Sequence, residues 1–333
     1  GPQAVVGLMD DPDSVTDLEA QDSGNPIQRP YALSLGEGHH CIFGASGSGR
    51  SMALVTAAVA CAQADPAIHI YGIDNTSGGL ALLGDLPNCG GVAQRDHQLA
   101  RRILEHLEQE VSRRYRSFRA ARVANLEEFR RSQDEPLPDL LLIVDRLDGY
   151  PVEARSSEPS AAAAQANLTL ITNLLSEGAA AGLTVVASSG PNLSSGRLAE
   201  LFRYRLILRL SSRDDYGAFG IPTARITDEM VDLIPPGRAM FTGAGRELQF
   251  AVVGGPERSQ QREEIRTDRP APNGLVTIRD LPLEIFWSEL QPSTKIASVP
   301  VGIGDAMQPV YVDLTHGGPL LVAGPRRSGR STA

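Results

Sequence analysis

The stretch "GASGSGRS", Gly44–Ser51, matches the phosphate-loop pattern G-x-x-x-x-G-K-[ST] at every position except one, where Arg50 stands in place of lysine. An apolar run, "HHCIF", precedes it and an alanine-rich helical pattern, "MALVTAAVA", follows. That is the strand, loop and helix context the pattern requires. Glycines let successive backbone N–H groups turn inward, and the helix N-terminus adds a positive dipole end for phosphate. On this reading Gly44, Ala45, Ser46, Gly47, Ser48, Gly49, Arg50, Ser51 and Met52 cradle the phosphates of ATP. Ser51 would also offer its hydroxyl to Mg²⁺. The bland alternative is a structural glycine turn. Against it, "GPRRSGRS" (Gly324–Ser331) repeats the pattern, including the swap at Arg330.

A magnesium–nucleotide site also needs a carboxylate at the end of a buried strand. "DLLLIVDRLDG" supplies Asp145, expected to hold Mg²⁺ together with Ser51. Arg146 comes next, where motor ATPases commonly place a glutamate that orients or deprotonates water. Such groups are worth about 10²–10⁴ in rate. Asp148, two residues further on, is the only carboxylate close by in the sequence. Arg50 is a second departure: a guanidinium is a broad planar fork and an ammonium a compact point charge. It can still pair with phosphate. Lys295 is the one lysine among 31 basic residues, so a bias toward arginine supplies Arg50 without giving it lysine's geometry. The expectation is binding without fast hydrolysis. Ser188 and Ser189, in "VVASSGPN", stand where a polar sensor would follow a core strand. Arg113, Arg114, Arg203, Arg205 and Arg209 are the candidates for an arginine finger serving a neighbouring subunit.

Strand-like runs alternate with helical patterns from Tyr31 to about Val253. The strands are expected at 40–44, 68–74, 139–145, 183–188 and 204–210, with helices over 51–64, around 94–121 and over 161–181. This predicts an α/β fold on the phosphate loop: a mostly parallel central sheet, helices on both faces and a closing β-hairpin around 244–246. The division expected is an N-terminal segment over 1–30, a degenerate ATPase module over 31–253, a linker over 254–298 and the start of a second module over 299–333. The last of these rests on "VPVGIGD" and the loop after it, which echo "VVGLMDD" and Gly44–Ser51. The chain of 333 residues is 41% hydrophobic and carries a net charge of −9. That balance weighs against a generally basic nucleic-acid surface. No apolar run approaches the ~20 residues of a membrane span. Cys41, Cys61 and Cys89 lack CxxC spacing and read as reduced and buried.

With these elements in place, the chain resembles the FtsK/SpoIIIE class of RecA-like ATPases, and more closely the ATPase modules of EccC-type proteins of type VII secretion. "GGLALLGDLPNCGGVAQRD" (78–96), "LEQEVSRRYRSFRAARVANLEEFRR" (107–131), "LILRLSSRDDYGAFGI" (206–221) and "IPPGRAMFTGAGRELQFAVV" (234–253) carry the resemblance, in the family's order. It implies neighbouring ATPase modules in one polypeptide, other secretion-system components, a secreted helical protein as substrate and a ring assembly. It also implies a cytoplasmic domain of a protein anchored at the cell membrane. Arg50 and Arg146 place this module with the family's degenerate ones, which take regulatory or substrate-binding roles; for this chain the expectation is regulating or assembling the motor. A nucleotide-free interaction module and a DNA translocase are the alternatives, the second disfavoured by the acidity.

Overall fold

The computed structural model describes residues 3–10, 28–76, 78–133, 137–150, 159–241, 246–254, 265, 269–280, 284–290, 297–304, 309–315, 321 and 323. The second loop, Gly324–Ser331 with Arg330, lies outside the described residues, as do the hairpin turn 242–245 and most of the linker's first half. The chain forms two compact units, Gly1–Leu275 and Val276–Ala333.

The first unit is built on ten strands: β1 (Gln3–Asp10), β2 (Gln28–Ser34), β3 (His39–Phe43), β4 (His69–Asp74), β5 (Cys89–Gln94), β6 (Leu140–Asp145), β7 (Leu183–Ser189), β8 (Phe202–Ile207), β9 (Arg238–Phe241) and β10 (Glu247–Phe250). Their order across the sheet is β2-β1-β10-β9-β8-β3-β7-β6-β4-β5. The six strands from β8 to β5 run parallel. The other four join antiparallel beyond β8. Every residue of β3, β4, β6 and β7 is buried. Parallel strands covered on both faces need such continuous apolar runs.

Helix α1 (Arg50–Ala64) is buried at ten consecutive positions, Ala53–Ala62. Its alanines allow close approach to the sheet, where it shares one cluster with Ile42, Ile70, Leu141, Ile143 and Val186. Strand alternation turns Leu140, Leu142 and Val144 to the opposite face. Helix α2 (His97–Ala121) covers that face, where Tyr71 Oη and His106 Nε2 are 3.1 Å apart. Asp96 caps α2 by accepting from the Gln98 and Leu99 N–H groups at 2.8 and 3.0 Å. Its apolar residues recur at helical spacing, with Leu99, Ile103, Leu107, Val111 and Phe118 buried. Helix α3 (Leu126–Ser132) follows, and α4 (Pro159–Glu177) packs against α2.

Several boundaries differ from expectation. β8 ends at Ile207, so Leu208–Leu210 leave the sheet to hold the glycine loop, with Leu208 N–H donating to Phe43 O at 2.8 Å. β5 was not foreseen as a strand. Within the leading segment, residues 3–10 form β1 and residues 28–30 begin β2, so these belong to the first unit's sheet, and that unit runs on to Leu275. The closing hairpin is present as β9 and β10, paired from Glu247–Met240 to Gln249–Arg238.

In the second unit, β11 (Ser298–Ile303) and β12 (Pro309–Asp313) form an antiparallel pair whose register shifts between Pro300 and Gly302. The β1–β2 pair shifts in the same way, between Val5 and Gly7. The two ladders share the irregularity one residue before a glycine. Among the described residues, no helix is long and apolar enough to cross a membrane.

Candidate functional site

The loop between β3 and α1 is held from both neighbouring strands. Gly44 N–H donates to Ser189 O at 3.1 Å, on the β7 side, and Ala45 N–H to Arg209 O at 2.8 Å, beyond β8. Gly47 and Gly49 adopt φ values of 76° and 98°, in the left-handed region that favours glycine. Side chains have no room here. A Cβ on Gly44 would collide with Ser48 Oγ, and one on Gly49 would stand 2.8 Å from Gly237 N. Gly237 N–H donates to Ser48 O at 2.9 Å, so the turn before the closing hairpin braces the loop.

Ser51 Oγ donates to Asp145 Oδ2 at 2.6 Å. Asp145 is fully buried at the end of β6, and its Oδ1 accepts from Ser188 Oγ at 2.5 Å. Ser188 therefore touches the carboxylate directly, whereas Ser189 Oγ turns to its neighbour's carbonyl, Gly190 O, at 3.1 Å. A third backbone segment closes on the pair: a Cβ on Gly79 would lie 2.9 Å from Asp145 Oδ2 and from Ser51 Oγ. Asp74 shapes that segment, accepting from Thr76 N–H at 2.7 Å and Leu80 N–H at 3.0 Å.

An open cavity of about 590 Å³ fronts these groups, lined by Ala45, Ser46, Gly47, Gly49, Arg50, Ser51, Met52, Thr76, Asp145 and Arg146. Gly44 and Ser48, also expected in the cradle, do not line it; Ser48 is fully buried. Thr76 was not anticipated, and nothing in its local sequence marks it. Arg50 Nη1 is buried without a hydrogen-bond partner among the described residues, as is Asp148 Oδ1. Both side chains approach Gly190, where a Cβ would be 2.9 Å from Asp148 Oδ2 and 3.9 Å from Arg50 Nη1. The arginine tip thus reaches across to the β7 end.

A phosphate tail fits this arrangement: inward-turned glycines, the N-terminus of a 15-residue helix and an unpaired buried guanidinium atom. A magnesium ion fits the donor set. One hydroxyl and one carboxylate are the usual protein share where phosphates and water complete the shell. Among the described residues, no group of three or more His, Cys, Asp or Glu side chains converges elsewhere to hold a metal.

The candidate arginine fingers mostly serve their own chain. Arg114 is fully buried and donates to Glu110 Oε1, Ala181 O and Pro138 O, each at 2.8 Å, so it cannot reach a neighbour. Arg113 pairs with Glu110 at 2.7 Å. Burial pushes the Glu110 carboxyl up, but hydrogen bonds from Arg113 and Arg114 outweigh it and hold it near 2. Arg203 donates to Glu37 O at 3.0 Å and Arg205 to Ala199 O at 2.6 Å. Arg209 instead lies beside the loop, its Nη2 being 3.8 Å from where a Gly47 Cβ would stand. The three cysteines are free; Cys41 and Cys61 are buried and Cys89 partly so.

The FtsK/SpoIIIE family profile matches residues 10–220. The ESX secretion system protein EccC of Thermomonospora curvata is 27% identical over 98% of this chain and 25% of its own length. The solved structure of ATPases 2 and 3 of that organism's EccC, in complex with a signal sequence peptide, superposes with a TM-score of 0.64 at 24% identity. It covers 93% of this chain and 55% of that one. ATPases 2 and 3 of EssC from Geobacillus thermodenitrificans give a TM-score of 0.69 at 19% identity, covering 94% and 59%. The chain therefore spans about a quarter of the curated relative and under two thirds of either solved chain. At these identities the solved structures establish the shared fold.

Proposed function

The chain belongs to the FtsK/SpoIIIE family, and on that footing we propose that it is an ATP-binding, hydrolysis-poor module of an EccC-like type VII secretion motor. One observation carries this reading. The cavity that presents the glycine loop and the Ser51–Asp145 pair presents Arg146, not a carboxylate, next to Asp145. Gly47, Gly49, Arg50 and Ser51 would hold the phosphates, and Ser51 with Asp145 the Mg²⁺. Bound magnesium would neutralise phosphate charge. The groups present bind and orient: among the described residues the one carboxylate lining the cavity is Asp145, engaged by Ser51 and Ser188, and Asp148 does not line it.

Nucleotide would then act as a conformational or assembly signal to neighbouring ATPase modules. The matching register shifts of β1–β2 and β11–β12 support reading the chain as one module that includes β1, followed over 299–333 by the opening of another. Other secretion-system components, a helical secreted protein, a ring assembly and a cytoplasmic position in a membrane-anchored protein belong to the same proposal. The signal sequence peptide bound by ATPases 2 and 3 of the T. curvata protein supports the choice of substrate class.

Calorimetry of the full chain with Mg·ATP and a non-hydrolysable analogue, paired with a phosphate-release assay, tests it. Saturable binding with turnover far below about 1 s⁻¹, the low end of ordinary enzyme rates, is expected. Turnover at ordinary motor rates sinks the hydrolysis-poor clause. No binding at millimolar nucleotide points to a nucleotide-free interaction module.

A further inference from the structure

Arg146 occupies an unusual backbone position for an arginine. Its φ of 56° and ψ of 67° lie in the left-handed region, which residues bearing a Cβ adopt at a cost. Both of its peptide groups are held. Its N–H donates to Ser188 Oγ at 2.9 Å, the hydroxyl that also bonds Asp145. Its carbonyl accepts from Asn75 Nδ2 at 3.1 Å and from Gly149 N–H at 2.9 Å. The result is a fixed Cα on an exposed residue that lines the loop cavity.

The charge around that cavity is lopsided. Arg50 and Arg146 line it, and Asp145 is the one acid that does. Asp145's oxygens are already engaged by Ser51 and Ser188. Arg50 Nη1 runs inward to the Gly190 side and Arg209 lies beside Gly47, so Arg146 is the cavity-lining cation that follows the metal-binding Asp145 directly in the chain. A guanidinium offers five donors in a planar fork suited to a phosphoryl group. Ser51 and Asp145 would hold the magnesium of a magnesium–nucleotide complex, where it would neutralise charge toward the end of the phosphate tail. A cation next to the metal's carboxylate is thus placed for the phosphate that triphosphates have and diphosphates lack.

We propose that Arg146 is a ligand for the terminal phosphate of a nucleoside triphosphate, so that this site ranks triphosphate above diphosphate and retains it. The proposal rests on the reading of the cavity as a nucleotide site and adds which nucleotide state it favours.

The test measures dissociation constants of a non-hydrolysable ATP analogue and of ADP, with magnesium, for the full chain and for Arg146→Ala, Arg146→Asn and Arg146→Glu. Asparagine tolerates the left-handed conformation, so Arg146→Asn separates loss of the cation from backbone strain. The natural chain should hold the analogue at least about tenfold tighter than ADP, the scale of one charge-assisted contact. Alanine and asparagine should both collapse that ratio toward unity by weakening the analogue, with ADP affinity changed less than about twofold. Glutamate should weaken the analogue further. An unchanged ratio in Arg146→Asn, or equal weakening of both nucleotides, overturns the proposal. If the natural chain binds neither nucleotide, the reading of the cavity itself falls. If it binds both with equal affinity, that reading survives and the role of Arg146 does not.

Discussion

Ser51 and Asp145, 94 positions apart in the chain, are joined by a 2.6 Å hydrogen bond from the serine hydroxyl to Oδ2 of the carboxylate. The bond links the first turn of α1 to the end of β6, two elements on which the phosphate and metal readings separately depend. Ser188 engages the other oxygen, so each oxygen of Asp145 accepts one hydroxyl. If Ser51 Oγ and Asp145 Oδ2 both ligate a cation, the Ser51 hydroxyl stops donating along this bond, so metal binding is coupled to a local rearrangement.

Asp145→Asn should therefore remove the magnesium-dependent part of nucleotide affinity while leaving the magnesium-free part within about threefold, because the phosphate loop itself is untouched. Asp145→Ala should in addition destabilise the fold. It strands the buried Ser188 hydroxyl, at about 1–3 kcal/mol for an unsatisfied buried group, whereas Ser51 at the open cavity turns to water. Calorimetry with magnesium and with chelator, alongside urea denaturation of both variants, separates the two effects.

Gly79→Ala is expected to act on the same pair from the other side. Its new Cβ would press to 2.9 Å on both Asp145 Oδ2 and Ser51 Oγ, with no flexible tail to yield. Overpacking of this kind costs about 1–3 kcal/mol. The magnesium-dependent component of binding should weaken about tenfold or more, matching the middle of that range. Gly84→Ala serves as the control, because a Cβ there meets nothing within 4 Å.

How much of this was legible beforehand follows from the range of the interactions involved. The loop and Asp145 were readable because their chemistry is written in short, local patterns: glycine spacing, and an apolar run ending in Asp. β5 was not. Its sequence, Cys89–Gln94, holds two glycines and one β-branched residue, and it is a strand because β4 offers it an open parallel edge. β1 sits in the acidic, turn-rich first thirty residues, and only pairing with β2 and β10 makes it part of the sheet. The brace from Gly237 to Ser48 and the position of Arg209 beside Gly47 join segments that no sequence window contains together. Arg114 looked like a surface cation on a charged helix. The carbonyls that take it inside come from Ala181 and Pro138, far away in sequence.

Arg114 and Arg113 accordingly make a paired prediction. Arg114→Met should cost about 3–5 kcal/mol of stability, the loss expected when one partner leaves a buried ionic network. Arg113→Ala removes an exposed partner of the same Glu110 and should cost less than about 1 kcal/mol. Urea denaturation midpoints of the two variants check both values. Neither substitution should alter nucleotide affinity, because both side chains stay remote from the loop cavity.

Acid sensitivity should come from the histidines at the start of β3. Burial lowers both His39 and His40 to about 4. His39 Nδ1 accepts from Val185 N–H at 3.0 Å, which requires the unprotonated atom, and His40 stacks on Tyr204 with ring centres 4.5 Å apart. Between their ordinary value of 6.5 and about 4, the unfolded chain binds protons that the folded one refuses. Stability is then fully present above that window and falls as pH drops through it, by up to about 1.4 kcal/mol per pH unit for each histidine. His69 and His106 are lowered by burial too and add in the same direction. Glu110, lowered from 4.5 to about 2, loses its own contribution as pH falls from about 4.5, so it adds to the histidines' loss at the acid end of the window. Urea denaturation at pH 7 and pH 5 should show a marked loss of stability at the lower pH. His40→Phe, which keeps a ring against Tyr204 but cannot titrate, should remove that residue's share of the slope. A stability that is flat from pH 7 to pH 5 would show that protons reach these two rings without unfolding the β3 end of the sheet.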